Sequence, residues 1–254
     1  MNARYADLVF YRGLAELRAE ASRAYLGIFW WVLEPMLYVG VFYLVFGLGL
    51  RRGGDGFVAY LLCGLVPWKW FDSTVRTAMN TISQSVGLMR QVYLPKYLLP
   101  LVVVVSNTAK FFLILVIFLV FLTLYGISPW QPSLAYLPLL VLIQLLMTLA
   151  VAGFAAAVVP FVPDFRYLIN FSMTLLFFMS GIFFSLSEMP PEVQEILVYN
   201  PVLVLIEAYR AVLLHGAAPD LSGLAWVSLF SLCLLFFVGY IFHRYDRSYP
   251  RVVG

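Results

Sequence analysis

The feature that most constrains this chain is a series of long, continuously apolar runs at about residues 27–50, 57–78, 98–125, 134–161, 167–186 and 221–242. About 20 apolar residues cross a hydrocarbon core of roughly 30 Å as a helix, because a helix satisfies its own backbone hydrogen bonds where there is no water. A membrane barrel would instead alternate apolar and polar residues in short segments, and these runs do not alternate. Composition agrees, since a chain of 254 residues that is 63% hydrophobic and 11% charged has too little polar surface to cover a water-soluble globule. The expectation is an all-α integral membrane protein with six transmembrane helices.

Two segments depart from simple spans. Residues 1–25 have a helical period, with Phe10, Leu14, Leu17 and Ala21 on one side and Arg12, Glu16, Glu20 and Arg23 on the other, the pattern of an amphipathic helix lying along a membrane surface. Residues 187–220 are too apolar for a loop in water. They are also interrupted by Pro190, Pro191, Pro201 and Gly216, which predicts short re-entrant helices between spans five and six or, alternatively, a surface loop with one amphipathic helix. Nearly all Lys and Arg outside the spans fall on the side of the termini, with Arg51, Arg52 and Arg210 opposite, which places both termini in the cytoplasm. The net charge of +3 is small and indicates no nucleic-acid partner. Cys63 and Cys233 sit inside apolar runs and read as small buried side chains. A cleaved signal peptide is not expected, and no internal repeat of the secondary-transporter kind is visible.

No catalytic pattern emerges. His215 and His243 stand apart without a metal-binding cluster, and the G-x-S-x-G, H-E-x-x-H and G-x-x-x-x-G-K-[ST] patterns are missing, so any ATP hydrolysis belongs to another chain. The unusual feature is charge within the apolar runs: Glu34 in the first, Lys69, Asp72 and Arg76 in the second, Lys110 in the third. A charge near the bilayer centre costs on the order of 3 kcal/mol, so these groups should face protein or water. Lys69 and Asp72 are spaced i,i+3 and Asp72 and Arg76 i,i+4, which lets them neutralise one another, while Glu34 and Lys110 lie at comparable depth and within reach of each other. They either lock helices together or take part in gating.

Aromatic stripes add to this. Trp31, Glu34, Tyr38 and Phe42 share one helical face, and Asn170, Thr174, Phe177, Gly181 and Phe184 share another. Rings stack on the C–H faces of sugars while amides and hydroxyls bond their oxygens, so such stripes suit a glycan path; packing or lipid contact is the alternative. The connection "GLMRQVYLPKYLLPL", residues 87–101, is basic and amphipathic and stops at Pro95 and Pro100, as a short helix docking into a partner would.

These pieces resemble the permease family of ABC-2 type polysaccharide exporters, which move O-antigen, capsular polysaccharide or teichoic acid. The resemblance is carried in order by "LGIFWWVLEP", "GLVPWKWFDS", the 87–101 connection, "VPDFRY" and "YNPVLVLIEAYR". It implies a transporter permease and not an enzyme: a homodimer in the inner membrane, with two separate ABC ATPase subunits that bind ATP and Mg, a lipid-linked polysaccharide as cargo, and periplasmic and outer-membrane export proteins beyond. Residues 1–25 would be the interface helix of a 26–254 transmembrane domain. Arg90, Tyr93, Pro95 and Lys96 would lie on the coupling helix, residues 87–97. Spans one and five, with Trp30, Trp31, Glu34, Tyr38, Phe42, Asn170, Thr174, Phe177, Gly181 and Phe184, would line the channel. Residues 187–216, with Asn200, Pro201, Glu207 and Arg210, would form the periplasmic gate. Glu34-Pro35 looks more like the capsule branch and "VYLPKYLLPL" more like the O-antigen and teichoic branches; the expected cargo is capsular polysaccharide or O-antigen, with teichoic acid as the alternative. A drug or small-lipid exporter and a membrane glycan-modifying enzyme are the competing readings; the enzyme would need a polar catalytic cluster.

Overall fold

The computed structural model describes residues 3–23, 27, 29–45, 56–91 and 94–252. Among them all regular structure is helical. The helices are α1 (Ala3–Arg23), α2 (Phe29–Phe42), α3 (Phe57–Ala78), α4 (Thr81–Gln84), α5 (Val86–Gln91), α6 (Leu98–Leu124), α7 (Leu137–Val158), α8 (Phe165–Met179), α9 (Pro191–Leu197), α10 (Pro201–Leu213), α11 (Leu221–Tyr245) and α12 (Tyr249–Val252).

Three of these segments are long and apolar enough to cross a membrane alone: Leu98–Leu124, Pro132–Val158 (which adds a 3₁₀ turn to α7) and Leu221–Tyr245. The other apolar runs fall short for identifiable reasons. α3 has 22 residues, but Lys69, Asp72 and Arg76 lower its apolar character. α8 stops after 15 residues, where Gly181 takes a φ of 69° that other residues rarely adopt and turns the chain. The described part of the first run is α2 with one wider turn to residue 45, and Arg51 and Arg52 lie outside the described residues. α9 and α10 meet at a bend of 100°, which makes the pair either one broken span or a re-entrant hairpin.

The core forms around α3, whose Leu61, Leu65, Phe71 and Val75 are almost wholly buried. α6, α7 and α10 pack about it. Gln144 on α7 donates to the Pro67 carbonyl at 2.8 Å, a hydrogen bond across the apolar interior. α7 approaches α11 closely because it offers small residues there: a Cβ on Gly153 would stand 3.0 Å from a methyl of Val238. α1 lies on α6 in the same manner, with Ser106 Oγ donating to the Gly13 carbonyl at 3.1 Å and a Cβ on Gly13 only 3.3 Å from that hydroxyl. Its Phe10 and Tyr11 are exposed, whereas Val9 is buried.

Candidate functional site

The charges of the apolar runs converge on one cavity of about 460 Å³ bounded by α1, α2, α3 and α6. Glu16, Glu20, Glu34 and Asp72 meet Lys69, Arg76 and Lys110 around it. Lys69 Nζ donates to Glu34 at 2.6 Å and stands 4.2 Å from the Tyr38 ring centre. Lys110 pairs with Glu20, which also accepts from the Trp31 indole N–H at 3.2 Å. Arg76 binds Asp72 at 2.7 Å within α3 and reaches across to Asn170 on α8, also at 2.7 Å. At the edge Arg12 stands 3.7 Å from Glu16, whose carboxyl partial burial pushes above its usual range against the pull of Arg12 and Lys110.

This arrangement corrects part of the expected pairing. Asp72 and Arg76 pair as spaced, but Lys69 turns away from Asp72 to Glu34, and Lys110 reaches α1 instead of Glu34. A long ammonium stem finds whichever carboxylate its helix rotation presents, and depth alone does not decide between candidates. Glu16 and Glu20 are the members that sequence reasoning left on a solvated face. Their only signal was spacing at i,i+4 on the polar side of the run at residues 1–25.

The aromatic stripes join the same region. Tyr38 stacks near Phe42 with centroids 6.2 Å apart, Phe42 lies 6.1 Å from Phe177 of α8, and Phe183 closes on both at 4.4 and 5.1 Å. Trp68 of α3 completes the cluster at 5.6 Å from Phe177. Contacts therefore run without a gap from Lys69 through Tyr38 to Phe177. Trp30 is exposed. Thr174 bonds the Asn170 carbonyl at 3.0 Å within α8, and Phe184 lies beyond the helix end. Trp68 and Phe183 were missed because neither belongs to the regular stripe of its run.

Just past the same C-terminal end of α8, Asn200 caps α10. Its Oδ1 accepts from the Val202 and Leu203 amides at 3.0 and 3.4 Å, its Nδ2 donates to the Met179 carbonyl at 3.0 Å, and Pro201 occupies the first helical turn where no N–H is needed. Arg210 has no exposed surface. It donates to the carbonyls of Gly181 at 2.7 Å and Ile182 at 3.0 Å, pairs with Glu207 at 3.0 Å and lies 3.5 Å over the Tyr60 ring centre. Gly64 makes room for it, since a Cβ there would be 3.2 Å from its guanidinium. One side chain thus joins α10 to the Gly181 turn and to α3.

On the connection before α6, Tyr93 lies outside the described residues. Arg90 is exposed on α5. Lys96 is not at the surface as its expected docking role requires: it is 2% exposed, its ammonium donates to the Leu94 carbonyl at 2.8 Å, and its amide donates to Asp246 at 3.0 Å. The break at Pro95, which is half-buried, turns the chain inward and carries Lys96 with it.

The ABC-2 type transporter family matches residues 15–214 of the chain. The O-antigen export system permease protein RfbA of Myxococcus xanthus is 33% identical over 256 residues, covering 97% of this chain and 98% of its own. The protein of the same name from Klebsiella pneumoniae is 24% identical over 79% of this chain and 78% of its own. The polysialic acid transport protein KpsM of Escherichia coli is 24% identical over 91% of this chain and 90% of its own.

Proposed function

The chain belongs to the ABC-2 type transporter family, and from that premise we propose that it is the membrane permease of an ATP-driven exporter that carries a lipid-linked O-antigen or related capsular polysaccharide outward. The transporter is an integral membrane protein, and in systems of this kind a separate subunit hydrolyses ATP. The observation that carries the reading is the continuous line from the charged cavity to the aromatic cluster between α2 and α8. Rings and fixed charges along one path suit a cargo with apolar C–H faces and many hydroxyls, and a path for an apolar drug would have no use for ion pairs along its wall.

In this reading six spans cross the inner membrane. They are built from α2, α3, α6, α7, α8 and α11, with α1 on the cytoplasmic surface, both termini cytoplasmic, and α9 with α10 re-entrant from the periplasm. The exposed Phe10 and Tyr11 of α1 and the polar cavity on its other side support that placement. Two copies enclose the channel, each with an ATPase that binds ATP and Mg. Arg90 docks into it, and Lys96, latched to Asp246, positions the docking segment. Purification of the complex from its native membrane should recover an ATPase with a phosphate-binding loop and, by mass spectrometry, a lipid-linked glycan. A chain that purifies alone and whose deletion leaves surface polysaccharide intact would overturn the assignment.

A further inference from the structure

A second cavity, of about 880 Å³, lies away from the charged site, where the start of α6 and the ends of α7 and α11 come together. Part of its lining is apolar, with Leu101, Leu149, Leu235 and Val238, and the residues at and just past the end of α11 add Arg244 and Arg247 together with His243 and Asp246. From Leu235 to Tyr245 the wall rises about 15 Å at ~1.5 Å per residue, half of a hydrocarbon core of roughly 30 Å, which is the depth of one leaflet. Gly239 faces the cavity, and a Cβ there would meet nothing within 4 Å. Gly153 is different, because Val238 packs directly against it. Glycine inside an exposed helix costs roughly 1 kcal/mol relative to alanine, and at Gly239 no close helix contact accounts for it. Arg244 and Arg247 have no carboxylate within ion-pair distance among the described residues.

We propose that this groove binds an anionic phospholipid, one acyl chain lying along Gly239 and the phosphate held by Arg244 and Arg247. A leaflet-deep apolar slot capped by cations at the level of the headgroups is complementary to that molecule, and a zwitterionic lipid would gain only the apolar part. The inference requires only that the chain sits in a membrane and does not depend on the cargo. The bound phosphate stands beside Asp246, whose bond to the Lys96 amide holds the segment leading into α6, so occupancy stiffens that junction.

The test is native mass spectrometry of the detergent-solubilised complex titrated with phosphatidylglycerol or with phosphatidylcholine of the same chains. The wild type should retain phosphatidylglycerol preferentially. R244Q/R247Q should lower that preference by roughly 30-fold, about fivefold for each arginine, without changing phosphatidylcholine retention. G239L, which fills open space, should reduce retention of both lipids while circular dichroism and oligomeric state stay unchanged. Equal retention of both lipids by the wild type, or unaltered retention in G239L, would overturn the proposal. A change of oligomeric state in G239L would assign the groove to a second copy instead.

Discussion

Arg210 carries its charge in a place with no solvent, and the two carbonyls of the Gly181 turn, the Glu207 carboxylate and the Tyr60 face replace the lost water. Truncation to methionine keeps the stem but leaves those carbonyls unpaired and Glu207 without its counter-charge. We expect R210M to destabilise the protein by on the order of 3 kcal/mol, read as a lowered unfolding midpoint in detergent, and R210K to recover only part of it because an ammonium cannot bridge the same groups. An unchanged midpoint in R210M would remove this residue from the framework. Asp220 acts at the start of α11, accepting from the amides of Ser222 and Gly223 at 3.0 and 3.1 Å, and the Ser222 hydroxyl chiefly holds its carboxyl below the usual aspartate range. A depressed native pKa stabilises above the unfolded value, and that stabilisation is lost as pH falls through the native one. Amide protection at Ser222 and Gly223 should therefore fall in acid in the wild type. It should be insensitive to pH in D220N, which keeps a capping oxygen, and be lost at all pH values in D220A at about 1 kcal/mol.

Between elements, the ion pairs tie α2 to α3 and add to the close packing of α1 on α6. Glu34 has a side chain 56% exposed against 21% for Lys69, so solvent or headgroups screen part of the attraction. A double-mutant cycle with E34Q and K69M should give a coupling of about 1 kcal/mol in unfolding free energy, and the swap E34K/K69E should restore part of the stability lost in either reversal. Additive single effects would show that the pair is only proximity. The long helices were legible beforehand: the run at 98–125 became Leu98–Leu124, because a bilayer ties apolar composition to helix length. The end of α8 was not, since the apolar run continues to residue 186 while the backbone turns at Gly181. Nor were the partners of Lys69 and Lys110, which depend on how neighbouring helices are rotated, something the periodicity of each helix alone leaves undetermined. The burial of Lys96 was hidden for a similar reason, because its bond partner Asp246 lies at the far end of the chain.

At the scale of the molecule, the segment formed by α9 and α10 divides into a fixed and a free part. α10 is anchored: Val202, Leu203, Leu205, Ile206 and Tyr209 are buried, and Asn200 and Arg210 bind it to both sides of the Gly181 turn. α9 leaves it at 100°, with Ile196 69% and Tyr199 70% exposed, and Tyr199 touches α11 only edge-on at Trp226, centroids 6.5 Å apart. Low contact density of this kind marks the part of a structure that moves most readily. If the emerging glycan must part an outer gate, α9 and residues 198–199 should swing about the Asn200 cap while α10 stays in place. A cysteine at Tyr199, on a background without the buried Cys63 and the exposed Cys233, should form a disulfide across the proposed dimer and stop export reversibly, with the ATPase still bound. A cysteine at Leu203, buried in α10, should not cross-link under the same oxidation. Full cross-linking at residue 199 with undiminished export would show that nothing needs to open there, and efficient cross-linking at residue 203 would show that α10 is not the fixed half.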